Sequence, residues 1–351
     1  MRAPDLTSPI LIVGPSWVGD MVMASSLVAV LRQRFPNRPI DMLAPPSALP
    51  IATLIEGVRD AIPSEFGHGE LGLTGRWKLG RSLRPKGYGT AIILPRAFKA
   101  AVAPFAAGIP ERIGYAAEGR SILLTRPRRD SERKTARTID RFVALGRDDR
   151  TISSAERSPR PLLNAPPIAA AAIEQKLGLV TGRPVVSLAP GAEYGPAKRW
   201  PAAKFAALAR LASDAGFGVR LFGGPKDRDI TAEIAAKAGV PVEDLAGRTS
   251  LIEAAALLAA SDVVVSNDSG LMHVAGALDR PLVVLYGSSS EKMTPPTAPL
   301  AEVVSLDLSC RPCFQRTCPL GTLACFEGIA PDTVFAAMQR VLAAGHPVAH
   351  A

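Results

Sequence analysis

Three observations predict an α/β chain of two Rossmann-like, doubly wound domains facing a central cleft. Short apolar runs alternate with helix-length segments from one end to the other. At 351 residues the chain is too long for one ordinary domain and suits two. The alternation breaks once, over 151–184, where "SSAERSPRPLLNAPP" is rich in Pro and Ser and reads as a linker.

The elements follow in order. "PILIVG" (9–14) is a buried strand and 20–34 a helix. "PIDMLA" (39–44) and "TAIILP" (90–95) are further strands, the latter followed by a helical stretch near 97–106. After the linker come strand 184–190, helix 201–215, strand 218–224, helix 226–238 and a short strand near 243–246. Helix 250–260, strand 262–267, helix 269–277 and strand 281–287 complete the series. Apolar runs bounded by Gly and Pro are the mark of parallel strands covered on both faces. The expected domains are 1–165 and 166–330, with a last segment, 331–351, whose helix packs back on the first domain. Ligands of such sheets sit beyond the carboxyl ends of the strands.

Composition narrows the function classes. Hydrophobic residues make up 47% and charged residues 21%, so large cores form. Aromatics are only 5%, too few for base-stacking platforms, and no nucleic-acid module is present. The net charge of +9 favours an anionic partner. Eight basic residues (Arg120, Arg126, Arg128, Arg129, Arg133, Lys134, Arg137, Arg141) stand against three acids between 120 and 141. They read either as a solvated face or as a contact for anions. Neither a signal peptide nor a membrane span is read, which points to a cytoplasmic protein able to touch a membrane surface.

Four strand-to-helix turns carry candidate chemistry. In "GPSWVGD" (14–20), Gly14 and Gly19 allow close approach, and Asp20 is either a helix-start carboxylate or a general base. "PGAEYGPAKRWP" (190–201) puts Lys198 and Arg199 near a helix N-terminus, where a cation is badly placed unless an anion joins it. "FGGPKDRD" (222–229) offers bare backbone at Gly223 and Gly224 to a nucleoside. "SNDSGLMH" (266–273) holds more capping side chains than one helix needs. Ser269, Gly270 and His273, four residues after Ser269 on the same face, suit a diphosphate. Asp268 would repel phosphate and suits sugar hydroxyls instead.

All four cysteines (Cys310, Cys313, Cys318, Cys325) fall in a C-x2-C-x4-C-x6-C run. Zinc or an iron–sulfur cluster fits the number of ligands, and reduced thiols in a compact loop fit equally. The missing second CxxC favours the thiols.

Together "PSWVGDMVMASSL", "PGAEYGPAKRWP", "NDSGLMHVA" and "LVVLYGSSS…TPP" resemble the lipopolysaccharide heptosyltransferases of glycosyltransferase family 9, over roughly residues 9–345. "PSWVGDM", "GPAKRWP" and "CRPCFQRTCPLG" look most like the branch that adds the second heptose. Thr322 stands where related enzymes often carry His, which weakens a metal site in that loop. The resemblance implies a GT-B fold and inverting transfer of L-glycero-D-manno-heptose from ADP-heptose to the first heptose of heptosyl-Kdo2-lipid A. It implies Asp20 as base, Lys198 beside the donor phosphates and Asp268 on the heptose. Ser269, Gly270 and His273 would lie at the ADP, with Gly224 near the nucleoside. Gly19, Arg120, Arg128 and Arg129 are the expected acceptor contacts. No cofactor and no metal are expected, and no nucleic-acid partner.

Overall fold

The structure is a computed structural model that describes residues 7–67, 69–131, 136–147 and 157–345. The chain divides between Asn164 and Ala165 into two units, each with its own sheet.

In the first unit the strands are β1 (Ile10–Val13), β2 (Ile40–Ala44), β3 (Asp60–Pro63), β4 (Thr90–Ile93), β5 (Glu111–Tyr115) and β6 (Arg126–Arg128). Its helices are α1 (Val18–Arg34), α2 (Leu49–Ala52), α3 (Leu73–Leu83), α4 (Val102–Ala106) and α5 (Thr138–Gly146). The sheet order is β3-β2-β1-β4-β5-β6, all parallel, with Ile10 paired to both Ile40 and Thr90. β1, β2 and β4 are buried at every position, because helices cover both faces. That is why an uninterrupted apolar run reads as strand here. β2 carries one charge inward. Asp41 is fully buried, takes Arg59 through two oxygens at 2.8 and 2.6 Å, and accepts the Tyr88 hydroxyl at 2.5 Å. Burial alone would raise its pKa, but Arg59 and Tyr88 outweigh that and lower it.

The second unit repeats the plan. Its strands are β7 (Val185–Ala189), β8 (Gly218–Leu221), β9 (Glu243–Asp244), β10 (Val263–Asn267), β11 (Leu282–Tyr286) and β12 (Ala301–Ser305). Its helices are α6 (Ala170–Leu177), α7 (Ala202–Asp214), α8 (Arg228–Ala238), α9 (Leu251–Ala259), α10 (Gly270–Ala277), α11 (Ala324–Glu327) and α12 (Pro331–Gly345). The order β12-β11-β10-β7-β8-β9 is the first sheet's order in its own numbering. α9 starts on a reciprocal cap: Ser250 Oγ accepts Glu253 N–H at 3.2 Å, and Glu253 accepts Ser250 N–H at 2.8 Å.

Trp200 anchors the core of this unit. It is fully buried, meets Phe205 edge to face at 4.9 Å and donates its indole N–H to Ile329 O at 3.2 Å. The expectation that the last helix packs on the first domain is corrected. Val334, Ala337, Met338 and Val341 form an i, i+3, i+4, i+7 stripe inside the second unit's core, and α12 packs on α7 and on β10, β11 and β12.

In each sheet the order reverses beside one strand. β1 lies between β2 and β4, and β7 lies between β8 and β10. The chain leaves adjacent strands in opposite directions there and opens a crevice at their carboxyl ends.

Candidate functional site

The first unit has a cavity of about 410 Å³ at its reversal point. The carboxyl ends of β1 to β4 supply it, at Gly14, Pro45, Ser64 and Pro95. Its polar lining includes Ser16, Asp20, Arg76, Arg96 and Lys99, with Trp17 and Phe66 as aromatic walls. Asp20 is the third residue of α1, in the turn where the helix dipole favours a carboxylate. Trp17 at the N-cap supplies no side-chain cap. Gly19, one residue before Asp20, is buried in the same turn. Arg76 lies over the Phe66 ring at 4.5 Å, and burial lowers its pKa. Arg96 sits 3.0 Å from Asp130, a buried carboxylate that Arg141 also holds at 2.9 Å. Lys99 follows β4 on a short 3-10 turn.

The structure places the expected acceptor arginines outside this cavity's lining. Arg120 is fully buried, not exposed. It donates to Tyr115 O at 2.8 Å and to Pro95 O, tying the ends of β5 and β4 together. Burial, with Arg96 adding to it, pushes its pKa down to about 10. Arg128 lies on edge strand β6, 3.4 Å from Arg147 O, and Arg129 is exposed beyond it. Neither lines the cavity. Nor is 120–141 an open basic face, because internal carboxylates take its cations. Arg126 pairs with Glu111 at 2.7 Å and Arg137 with Asp140 at 2.7 Å. Arg133 and Lys134 lie outside the described residues. Arg76, Arg96 and Lys99 carry the positive charge at the cavity instead. Sequence reasoning missed them because two stretches of chain, α3 and the segment after β4, bring them to one cavity.

The second unit gathers its candidates at the ends of β7 and β10. β7 ends at Ala189, and the loop that follows closes in a 3-10 turn at Pro196–Lys198. β10 ends at Asn267, which stitches the two loops. Asn267 Nδ2 donates to Pro190 O at 2.7 Å, and its Oδ1 accepts Trp200 N–H at 3.1 Å. This clamp sets Lys198 Nζ 2.5 Å from Asp268 Oδ2. Lys198 thus ends a 3-10 turn before α7, and the anion it needs is a carboxylate of the chain itself. Its ammonium also lies over the Tyr194 ring at 5.3 Å.

Ser269 is the N-cap of α10, but its hydroxyl meets Ser266 Oγ at 3.1 Å and does not cap the helix. Gly270 opens the helix, so the first amides of α10 receive no side-chain cap from Ser269. His273 is buried, and its Nδ1 has no hydrogen-bond partner. Burial pushes its pKa down to about 4, with Asp268 raising it and Lys198 lowering it. The imidazole is therefore neutral at pH 7 and offers one ring N–H rather than a charge. Gly224 is exposed, and its N–H is already given to Asp227 Oδ2 at 3.0 Å. Ser288 and Ser289 follow β11, the neighbour of β10, and their buried hydroxyls lack partners. The "SSS" run at 288–290 is the signal that could have marked them.

The four cysteines are free thiols. Among the described residues no three His, Cys, Asp or Glu side chains are placed to hold a metal.

Comparison with known proteins gives one consistent result. Residues 76–324 match the glycosyltransferase family 9 (heptosyltransferase) pattern. Lipopolysaccharide heptosyltransferase 2 of Escherichia coli K12 is 43% identical over 306 residues, 85% of this chain and 88% of that one. Lipooligosaccharide heptosyltransferase 2 of Haemophilus influenzae is 41% identical over 309 residues, with the same two coverages, 85% and 88%. The solved structure of E. coli ADP-heptose lps heptosyltransferase II superposes with a TM-score of 0.86 at 38% identity, covering 96% of this chain and 99% of that one.

Proposed function

The chain belongs to glycosyltransferase family 9 and has the GT-B fold, and from that premise we propose how its two units divide a heptosyl transfer. It is a heptosyltransferase that moves heptose from ADP-heptose to the lipopolysaccharide inner core. In our reading the acceptor is the first heptose of heptosyl-Kdo2-lipid A, the heptose moved is L-glycero-D-manno-heptose, and the anomeric configuration inverts. The enzyme works from the cytoplasmic side. No described helix is long and apolar enough to cross a membrane.

The first unit handles the acceptor. Asp20 takes the proton of the attacking hydroxyl as that oxygen bonds to the anomeric carbon. Arg76, Arg96 and Lys99 hold the acceptor's acidic groups. The second unit handles the donor. Asp268 accepts from heptose hydroxyls, and Lys198 turns toward the diphosphate that leaves as ADP. The amides of Ser269 and Gly270 and the neutral imidazole of His273 donate to the same leaving group. Lys198 and these donors neutralise the departing charge, so no divalent metal is needed. Transfer should survive a chelator.

The observation that carries this reading is the Lys198–Asp268 pair at the reversal point of the second sheet, a cation and a sugar-hydroxyl acceptor side by side. The test is ADP release from ADP-heptose with and without heptosyl-Kdo2-lipid A, for wild type and Asp20→Asn. Acceptor-dependent release that collapses in Asp20→Asn supports it. Equal release by both proteins removes Asp20 from the chemistry, and no release with this acceptor removes the acceptor assignment.

A further inference from the structure

α3 has two faces with different work. Arg76 and Leu79 look into the first unit's cavity. Leu73, Trp77 and Arg81 follow one another at four-residue spacing, which stacks them on another face. Gly80 sets how closely α3 meets α4. A Cβ there would lie 2.3 Å from Ala103 O, so only Gly lets the helices touch. That contact brings Trp77 beside Phe105, with ring centroids 6.1 Å apart.

The outcome is an exposed apolar edge. Leu71 is 60% exposed, Leu73 40%, Trp77 43% and Phe105 38%. These are four of the ten large hydrophobics left exposed among the described residues, on α3, the loop just before it and the neighbouring α4. Arg112 caps the Phe105 ring at 5.3 Å and donates to Leu123 O at 2.6 Å, next to the exposed Ile122.

The fringe of this edge is cationic. Between 71 and 86 the chain has Arg76, Lys78, Arg81, Arg84 and Lys86 and no acid. Glu70 folds back onto Gly67 N–H at 3.1 Å. Lys86 is paired with Asp60 at 3.1 Å, and Arg84 donates to Ala106 O at 3.0 Å. Lys78 and Arg81 are exposed and form no ion pair among the described residues.

We propose that the outer face of α3, with Phe105 of α4, is the surface by which the enzyme docks on an anionic phospholipid bilayer. Trp and Phe rings suit the headgroup level, leucines reach the acyl boundary, and Lys and Arg meet anionic headgroups. A protein partner with an acidic rim would use the cations but needs a broader apolar face than this sparse edge. The inference rests on the reading that the acceptor is a membrane lipid. The cavity and the docking face then share α3, so a lipid-borne sugar reaches Asp20 from the side where its lipid is anchored. The 120–141 stretch, read from sequence as a solvated face or a contact for anions, has its described cations largely spent internally.

The test is flotation of the full chain with vesicles of phosphatidylglycerol and phosphatidylethanolamine, against phosphatidylcholine vesicles. It needs no transfer reaction, so it stands or falls apart from the catalytic reading. Wild type should bind the anionic vesicles only and be released by salt. Lys78→Glu with Arg81→Glu should weaken binding by at least about 25-fold, taking about fivefold per cation. Trp77→Ser should weaken it several-fold, with an unchanged melting temperature showing that the fold is kept. Both variants should keep wild-type turnover on a delipidated, water-soluble acceptor. Absent binding to anionic vesicles, or equal binding by wild type and both variants, overturns the proposal. So does a wild-type dimer that Trp77→Ser makes monomeric with vesicle binding intact, since the face would then be a protein interface.

Discussion

Lys198 Nζ stands 2.5 Å from Asp268 Oδ2, and the Asp268 side chain is only 5% exposed. Each group is therefore the other's ion-pair partner. Lys198→Met leaves a nearly buried carboxylate without its cation, which costs about 3 to 5 kcal/mol where pairing is the sole compensation. On the proposed mechanism it also removes a donor to the leaving diphosphate, for which kcat should fall about 100- to 1,000-fold. Lys198→Met combined with Asp268→Asn should recover part of the stability and none of the activity. Urea unfolding alongside steady-state kinetics of the three variants checks both halves. Equal stability of the single and double variants would show that the pair is not coupled.

His273 makes stability depend on pH. Its folded pKa, about 4, lies below the ordinary 6.5, so between these values the unfolded chain binds the extra proton. Its contribution is fully present above pH 6.5 and is lost as the pH falls toward 4. His273→Gln should flatten that part of the profile. Denaturant unfolding at pH 7, 5.5 and 4.5 reads the slope directly. An unchanged slope in the variant would assign the acid sensitivity elsewhere.

Gly195 holds the loop that carries Lys198. Its φ is +156°, and a Cβ would come within 2.5 Å of Arg316 O. The same carbonyl accepts Ala197 N–H at 3.0 Å, and Tyr194 donates its hydroxyl to Phe314 O at 2.7 Å. Gly195→Ala must push the two backbones apart and displace Lys198. The expected result is a KM for ADP-heptose raised about tenfold or more, since misplacing a positioning group by about 1 Å costs as much as 100-fold. An unchanged KM would mean that Lys198 does not depend on this contact.

Ser250→Ala tests the fold away from the site. It removes the cap of α9 and one of the contacts that hold the Glu253 pKa at about 2, the largest of which is Lys176. The loss should be about 1 kcal/mol, with kinetics unchanged. A thermal melt with an activity assay is enough, and a change in KM would contradict the separation of α9 from the donor site.

The sequence made some of this legible for physical reasons. β1, β7, β10 and β11 are buried on both faces, so each is an apolar run that a reader cannot miss. β3 (DAIP) and β6 (RPR) are short edge strands with charge and Pro, and nothing local marks them. The turn after β10 stood out because it has more polar caps than a helix can use. The burial of Arg120 was not legible because charge suggests exposure, whereas backbone carbonyls from two strand ends make burial tolerable. Arg76, Arg96 and Lys99 are ordinary residues in sequence and line one cavity only because α3 and the segment after β4 both border it.

Each sheet is complete within its own stretch of chain. β6, the last strand of the first sheet, ends at Arg128, and the second sheet begins at Val185. Among the described residues every strand pairs within its own unit's sheet. During synthesis the first 164 residues can therefore pair every strand they own while the second unit is still on the ribosome. The order of manufacture and the order of folding then coincide. A truncated nascent chain ending near residue 165 would expose only the two edges its sheet already has, the short strands β3 and β6 with their charges and prolines.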